Sequence, residues 1–223
     1  MNVKVMNQQT IEQNADFAKT LVSEAADYGL TLPDETVNKL VDYYGLINLW
    51  NPRLHLVAPC APAEFARRHI LESVYAIAHL PPHALLIDVG AGAGLPSVPC
   101  LVARPDLRGE LIEASIKKSI FLREALQKLN RARAAIVVNN RFESLTAPKA
   151  EALTCRALDK FSALLPRLLK WSARVSRLLL FGGPALAARL DESTPYESYL
   201  LPNSRQRYLF VIQNMRADES ANH

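Results

Sequence analysis

The chain is poor in several features that would settle its class at once. Only three cysteines occur among 223 residues, Cys60, Cys100 and Cys155. They are odd in number, widely spaced and without a C-x-x-C pair, which argues against a disulfide framework and against a zinc site. They read as small apolar residues of the interior, and no metal is expected. No apolar run approaches the ~20 residues that span a bilayer, and residues 1–13 lack a charged-then-apolar leader pattern. These absences point to a cytoplasmic protein with no membrane partner. Glycine is scarce and unevenly spread, with three of eight between positions 90 and 94. Hydrophobic residues at 49% and charged residues at 22% suit a chain with a full core rather than a disordered one.

The glycine cluster sits in a telling context. The run Leu85-Leu86-Ile87-Asp88-Val89 precedes Gly90-Ala91-Gly92-Ala93-Gly94-Leu95-Pro96. Apolar residues around Asp88 suit a parallel strand covered on both faces, and the glycines allow unusual backbone angles and close approach of a ligand. Pro96 falls where a first helical turn tolerates proline. Glu113 follows about twenty residues later, where an acid at the end of a second strand accepts hydrogen bonds from both hydroxyls of a ribose. A dinucleotide fingerprint needs a third glycine where this chain has Leu95, so a nicotinamide cofactor is disfavoured. S-adenosylmethionine carries no pyrophosphate, and a G-x-G-x-G turn suits close approach to its methionine moiety. Taken alone, the turn also fits any tight strand-to-helix connection, and Glu113 a surface carboxylate.

Periodicity predicts the rest of the architecture. Ile11, Phe17, Leu21 and Ala25 mark an amphipathic helix over residues 8–30, stopped near Gly29. A second helix opens at Pro33-Asp34-Glu35, carries Val37, Leu40, Val41, Tyr44 and Ile47 inward, and ends at Asn51-Pro52. A third covers 63–79 before Pro81-Pro82. Residues 1–80 are thus expected to form a helical cap within one compact unit, with a second region over 81–223. There the pattern alternates: strand 85–89, helix 95–103, strand 109–113, helix 116–129, strands 135–138 and 150–154, helix 158–172, strand 176–181. Such alternation predicts an α/β, Rossmann-like parallel sheet with helices on both faces. Strands at 196–201 and 208–212, around Pro202-Asn203-Ser204, add an antiparallel hairpin. Tyr43, Tyr44, Trp50 and Trp171 read as core aromatics, and His69 as a helix cap or a bridge from cap to sheet.

Charge is distributed in blocks. From Lys160 to Leu190 there are six basic residues and no acid, and from Ala114 to Phe142 seven basic residues against Glu124 alone. Basic blocks beside a cofactor turn favour a polyanionic partner, although solvated helix faces would look the same. The glycine turn, Arg68-His69-Ile70-Leu71-Glu72-Ser73, Lys117-Lys118 with Phe121-Leu122, Phe142-Glu143, Cys155-Arg156-Ala157 and Trp50-Asn51 together resemble the small-subunit ribosomal RNA methyltransferase G (RsmG, GidB) family. The resemblance covers nearly the whole chain.

That resemblance implies a class I methyltransferase fold, S-adenosyl-L-methionine as cofactor, and methylation of guanine N7 in 16S ribosomal RNA or the small ribosomal subunit. It implies cofactor contacts through the turn Gly90, Ala91, Gly92, Gly94 and Leu95, the ribose on Glu113, the adenine beside Phe142 and Glu143, and Arg156 positioning cofactor and target. Lys117, Lys118 and Arg141 would face the RNA. The chain departs from the family pattern at His55-Leu56-Val57 in place of Asn-Leu-Thr, and at Gly182-Gly183 in place of Lys-Gly. Ala114 replaces a serine and Glu72 an aspartate. These changes leave the turn intact and fall mostly on the target side, and whether Arg177, Arg189 or another residue compensates for the missing lysine stays open. A methyltransferase for another RNA or a small molecule, and a non-catalytic RNA-binding protein with the same fold, are the alternatives.

Overall fold

The computed structural model describes residues 3–156, 164–190 and 194–214. Its sheet has seven strands: β1 (Leu85–Val89), β2 (Arg108–Ile112), β3 (Ala135–Val138), β4 (Ala150–Cys155), β5 (Val175–Gly182), β6 (Tyr196–Leu200) and β7 (Tyr208–Gln213). Their order is β3-β2-β1-β4-β5-β7-β6. Strands β1 to β5 are parallel, and β7 runs antiparallel to β5 and β6. The expected parallel sheet with a terminal antiparallel hairpin is present. The order reverses between β1 and β4, where open α/β sheets gather ligands beyond the strand ends.

Side-chain alternation divides the sheet into two buried faces. Leu86, Leu111, Leu179, Phe181, Leu209 and Val211 join the core shared with the N-terminal helices. Ile87, Val89, Ile112, Leu178, Leu180, Phe210 and Ile212 point to a second core on the opposite face. This period of two, apolar on both sides, is what a sheet covered by helices requires.

Helix α1 (Val3–Glu24) passes into a 3-10 turn (Ala25–Tyr28) that ends at Gly29 with φ +67°. Phe17, Leu21 and Ala25 are buried as expected, whereas Ile11, expected on the same stripe, is 61% exposed. Helix α2 (Asp34–Leu54) continues past the expected stop. Pro52 lies inside its last turn, where only two further residues follow the lost N–H bond, and the actual stop is His55 at φ +47°.

The third expected helix is four short pieces: α3 (Pro62–Phe65), a π-helical stretch (Ala66–Leu71), α4 (Glu72–Tyr75) and a 3-10 turn (Ala76–His79). Next comes α5 (Ser97–Ala103), with Pro96 in the capping position rather than the first turn. Six of its seven residues are buried, because it lies on the sheet beneath α2 and α4. An apolar surface all round is what such a helix needs. Helix α6 is Ile116–Lys128. Of the predicted helix 158–172, residues 158–163 lie outside the described residues, and the rest contributes α7 (Leu165–Trp171) and the start of a 3-10 turn. A short α8 (Pro184–Ala187) was not anticipated. No helix among the described residues is long and apolar enough to cross a membrane.

The cap is held by ring packing as well as by aliphatic contacts. Phe17 stacks on Tyr44 at 4.5 Å between centroids and meets Phe65 at 6.1 Å. Phe17→Ala is expected to cost about 3–5 kcal/mol of stability, read as a lower midpoint in urea unfolding.

Candidate active site

The glycine turn leaves β1 at its carboxyl end, and all three glycines adopt positive φ: +71° at Gly90, +55° at Gly92 and +81° at Gly94. They face different surroundings. A Cβ at Gly90 would meet nothing within 4 Å, and one at Gly92 only the Gly90 carbonyl at 3.6 Å. At Gly94 it would lie 2.5 Å from Val98 Cγ2 and 3.0 Å from Leu122 Cδ2. Gly90 and Gly92 therefore open outward, while Gly94 makes room for close packing. Ala91 and Leu95 are also buried, so neither side chain faces outward.

Glu113 follows directly after β2. One carboxylate oxygen accepts from Gly92 N at 2.8 Å, and the other from Ser115 N at 2.7 Å. Its second lone pairs remain as acceptors. Asn139, just past β3, donates to the Glu113 carbonyl at 2.8 Å, tying a third strand end to the same rim. Phe142 opens a 3-10 turn beyond β3, but its ring is buried edge-on to Trp171 at 5.5 Å. It is not free to stack on a ligand, whereas Glu143 is exposed.

Asp88 is a further candidate, whose signal in the sequence is a carboxylate in the middle of an apolar strand. It is fully buried on the cap-side face, accepts from Ser97 Oγ at 2.5 Å, and its Oδ1 has no hydrogen-bond partner among the described residues. Burial pushes its pKa up to about 7; the Ser97 bonds oppose this, and the nearby Glu113 charge adds to it. Tyr43 was read correctly as core, yet its hydroxyl donates to the Ala93 carbonyl of the turn. An outward-opening turn, an acid at the next strand end and an unpartnered buried carboxylate oxygen suit a cofactor with ribose hydroxyls and a cationic group.

Arg156 follows β4 on the other side of the switch point. Its guanidinium donates to Ser73 Oγ at 3.2 Å, to Glu72 Oε2 at 3.2 Å and to the Arg68 carbonyl, and lies 5.6 Å from the Phe181 ring centroid. The Arg68 carbonyl belongs to the π-helical stretch, a form that is rare in general and frequent at functional sites. Glu72, 1% exposed, gives its other oxygen to Arg207 Nε at 2.6 Å. Burial raises the Glu72 pKa against the pull of both arginines. The His69 ring packs against Phe65 in a tilted arrangement, 4.8 Å between centroids. Burial and the neighbouring Arg156, Arg68 and Arg207 push its pKa down to about 3, so it is neutral at pH 7.

Lys117 and Lys118 occupy the first turn of α6, which Ser115 caps through Lys118 N at 3.4 Å. Cations there oppose the helix dipole, and neither forms an ion pair among the described residues. Arg141 is exposed beyond β3. All three share the strand-end rim with Glu113.

Residues 36–194 match the family described as rRNA small subunit methyltransferase G (GidB). The chain belongs to that family. A ribosomal RNA small subunit methyltransferase G from Xanthomonas oryzae pv. oryzae is 36% identical over 172 residues, 75% of this chain and 77% of that protein. One from Neisseria meningitidis is 30% identical over 150 residues, 67% and 70%. Among solved structures, cofactor-bound Rv0187 from MTB has a TM-score of 0.55 at 14% identity, covering 79% of this chain and 90% of that one. The mitomycin 7-O-methyltransferase MmcR has a TM-score of 0.52 at 17% identity, covering 77% and 60%. Both show the fold.

The departures from the rRNA small subunit methyltransferase G pattern have local explanations. A side chain at Gly182 would lie 2.7 Å from Leu186 Cδ2, because α8 packs against the end of β5. Gly182 pairs with Tyr208, so the adjacent cation is Arg207. Arg177 lies toward the other end of β5, bonded to the His79 carbonyl and Gln213, and cannot replace the lysine. His55 and Val57 line a cleft of about 420 Å³ in the cap with Gln13, Asn48 and Cys60, and Cys60 is half-buried rather than interior.

Because the folded-state pKa of Asp88 lies above its unfolded value of 3.8, its contribution to stability is full below about pH 3.8 and is lost as pH rises through about 7. Urea unfolding of wild type and Asp88→Asn from pH 4 to 8 should show the wild type losing stability relative to the variant across that window.

Proposed function

We propose that this protein transfers the methyl group of S-adenosylmethionine to N7 of a guanine in 16S ribosomal RNA. The observation that carries the reading is the convergence, at the switch point of a methyltransferase-family sheet, of the open glycine turn, Glu113 and Arg156. When bound, S-adenosylmethionine supplies a methyl group activated by its sulfonium. The backbone at Gly90 and Gly92 would lie against it, the spare lone pairs of Glu113 would take ribose hydroxyls, and Asp88 Oδ1 would accept from a cationic group. With the Phe142 ring in the core, recognition of the adenine falls to the backbone at Phe142 and Glu143.

Guanine N7 carries an exposed lone pair and loses no proton on attack, so no general base is required. His69, neutral and buried beside three arginines, fits a site without one. Catalysis then rests on holding N7 in line with the methyl group, and orientation of this kind is worth ~7–11 kcal/mol in favourable cases. Arg156, fixed by Ser73, Glu72 and the Arg68 carbonyl, is the positioning cation. Lys117, Lys118 and Arg141 supply phosphate contacts along the rim, and Arg207 stands where the family lysine is missing.

Incubation of the protein with labelled S-adenosylmethionine and small ribosomal subunits lacking the modification should place label on one guanine of the RNA; absence of label in RNA would overturn the reading. Binding to the RNA should weaken steeply with added salt, which a small-molecule acceptor would not show. Gly92→Asp should abolish calorimetric cofactor binding, because its side chain enters the open face at positive φ and brings a second carboxylate to Glu113. Arg156→Ala should lower methyl transfer by roughly tenfold or more, and full activity of the variant would overturn its assignment.

A further inference from the structure

We infer that Tyr43, a residue of the cap, is a positioning residue for the cofactor turn, an inference that rests on the cofactor reading above. The Ala93 carbonyl and the Gly94 N–H belong to one peptide plane. Tyr43 donates to its oxygen, and its N–H donates to the Ala91 carbonyl at 2.6 Å. Between the two anchors lies Gly92, whose N–H is held by Glu113. Rotation of that peptide would break both bonds and shift the segment that opens toward the cofactor. Ala93 is 5% exposed, so water cannot stand in for the hydroxyl, and a buried carbonyl left without a donor is costly.

Gly94 and Tyr43 fit each other. A Cβ at Gly94 would lie 3.2 Å from the Tyr43 hydroxyl oxygen, so the absent side chain is what admits the hydroxyl. The Tyr43 ring is fully buried between α2 and the sheet, and burial raises its pKa, keeping it a donor. The turn is therefore shaped from outside its own strand and helix, by a group fifty residues earlier in the chain.

Tyr43→Phe removes the donor and keeps the ring. It should weaken calorimetric binding of S-adenosylhomocysteine by roughly three- to tenfold and raise KM for S-adenosylmethionine to match. At saturating cofactor, kcat and KM for RNA should stay close to wild type, a split that general destabilisation would not produce. Tyr44→Phe, whose hydroxyl meets Asn48 instead, should leave cofactor affinity unchanged. Equal affinity of Tyr43→Phe and wild type, a fall in kcat without a change in cofactor KM, or an equal loss in Tyr44→Phe would overturn the inference alone. Failure of the wild type to bind either cofactor form would overturn the cofactor reading and this inference with it.

Discussion

Three backbone N–H groups of the glycine turn end on the strand beside it. Gly90 and Ala91 both donate to the Ile112 carbonyl, at 2.9 and 3.1 Å, and Gly92 donates to the Glu113 side chain. The rest of the rim depends on that attachment. With both oxygens of Glu113 taken by backbone donors, its side chain has one orientation, and the second donor, Ser115, is the residue that caps α6. The cofactor turn, the acid and the cationic helix start thus form one hydrogen-bonded unit, set in place by the pairing of β1 with β2. The polar backbone groups of the turn that face inward must be satisfied internally, and here their partners come from the neighbouring strand end.

The cap enters the same unit from above the sheet. Its buried side chains and those of the sheet form one continuous core, and several polar attachments cross between them, two of which bear on the site. Tyr43 reaches the turn, and Ser73, Glu72 and the Arg68 carbonyl hold Arg156. Glu72 is longer by one methylene than the aspartate usual in the family, and each of its oxygens takes a different guanidinium. Removing either arginine would leave a buried acid half-compensated. The missing lysine at Gly182 and the placement of Arg207 belong to the same corner, where α8 leaves no space for a side chain at the end of β5.

What could be seen in the sequence was local. The strand, the glycine turn and Glu113 follow from residue spacing, because a β–α–β unit fixes where its loops emerge. The hairpin was legible from alternation bounded by Pro202 and Asn203. Arg156 was visible as a strand-end residue, but its partners lie 83 to 88 residues away, and spacing carries no such information. Phe142 was placed beside the adenine because its position matched; its ring went to the core because Trp171 offered an aromatic edge. The π-helical stretch left no mark, since residues 62–79 have the composition of one ordinary helix. Tyr43 shows the same limit from the other side: an aromatic at helical spacing reads as core, and nothing local marks its hydroxyl.

The double ion pair at Glu72 bears on the order in which the chain assembles during synthesis. The cap leaves the ribosome first, carrying a carboxylate whose counter-ions come 84 and 135 residues later. Burying that acid before β4 has emerged would desolvate an unpaired charge. Arg156, just after β4, supplies one partner, and Arg207, just before β7, supplies the other. A segment whose hairpin is missing or truncated would retain the turn and the sheet centre, yet hold the cap with one arginine where two are required.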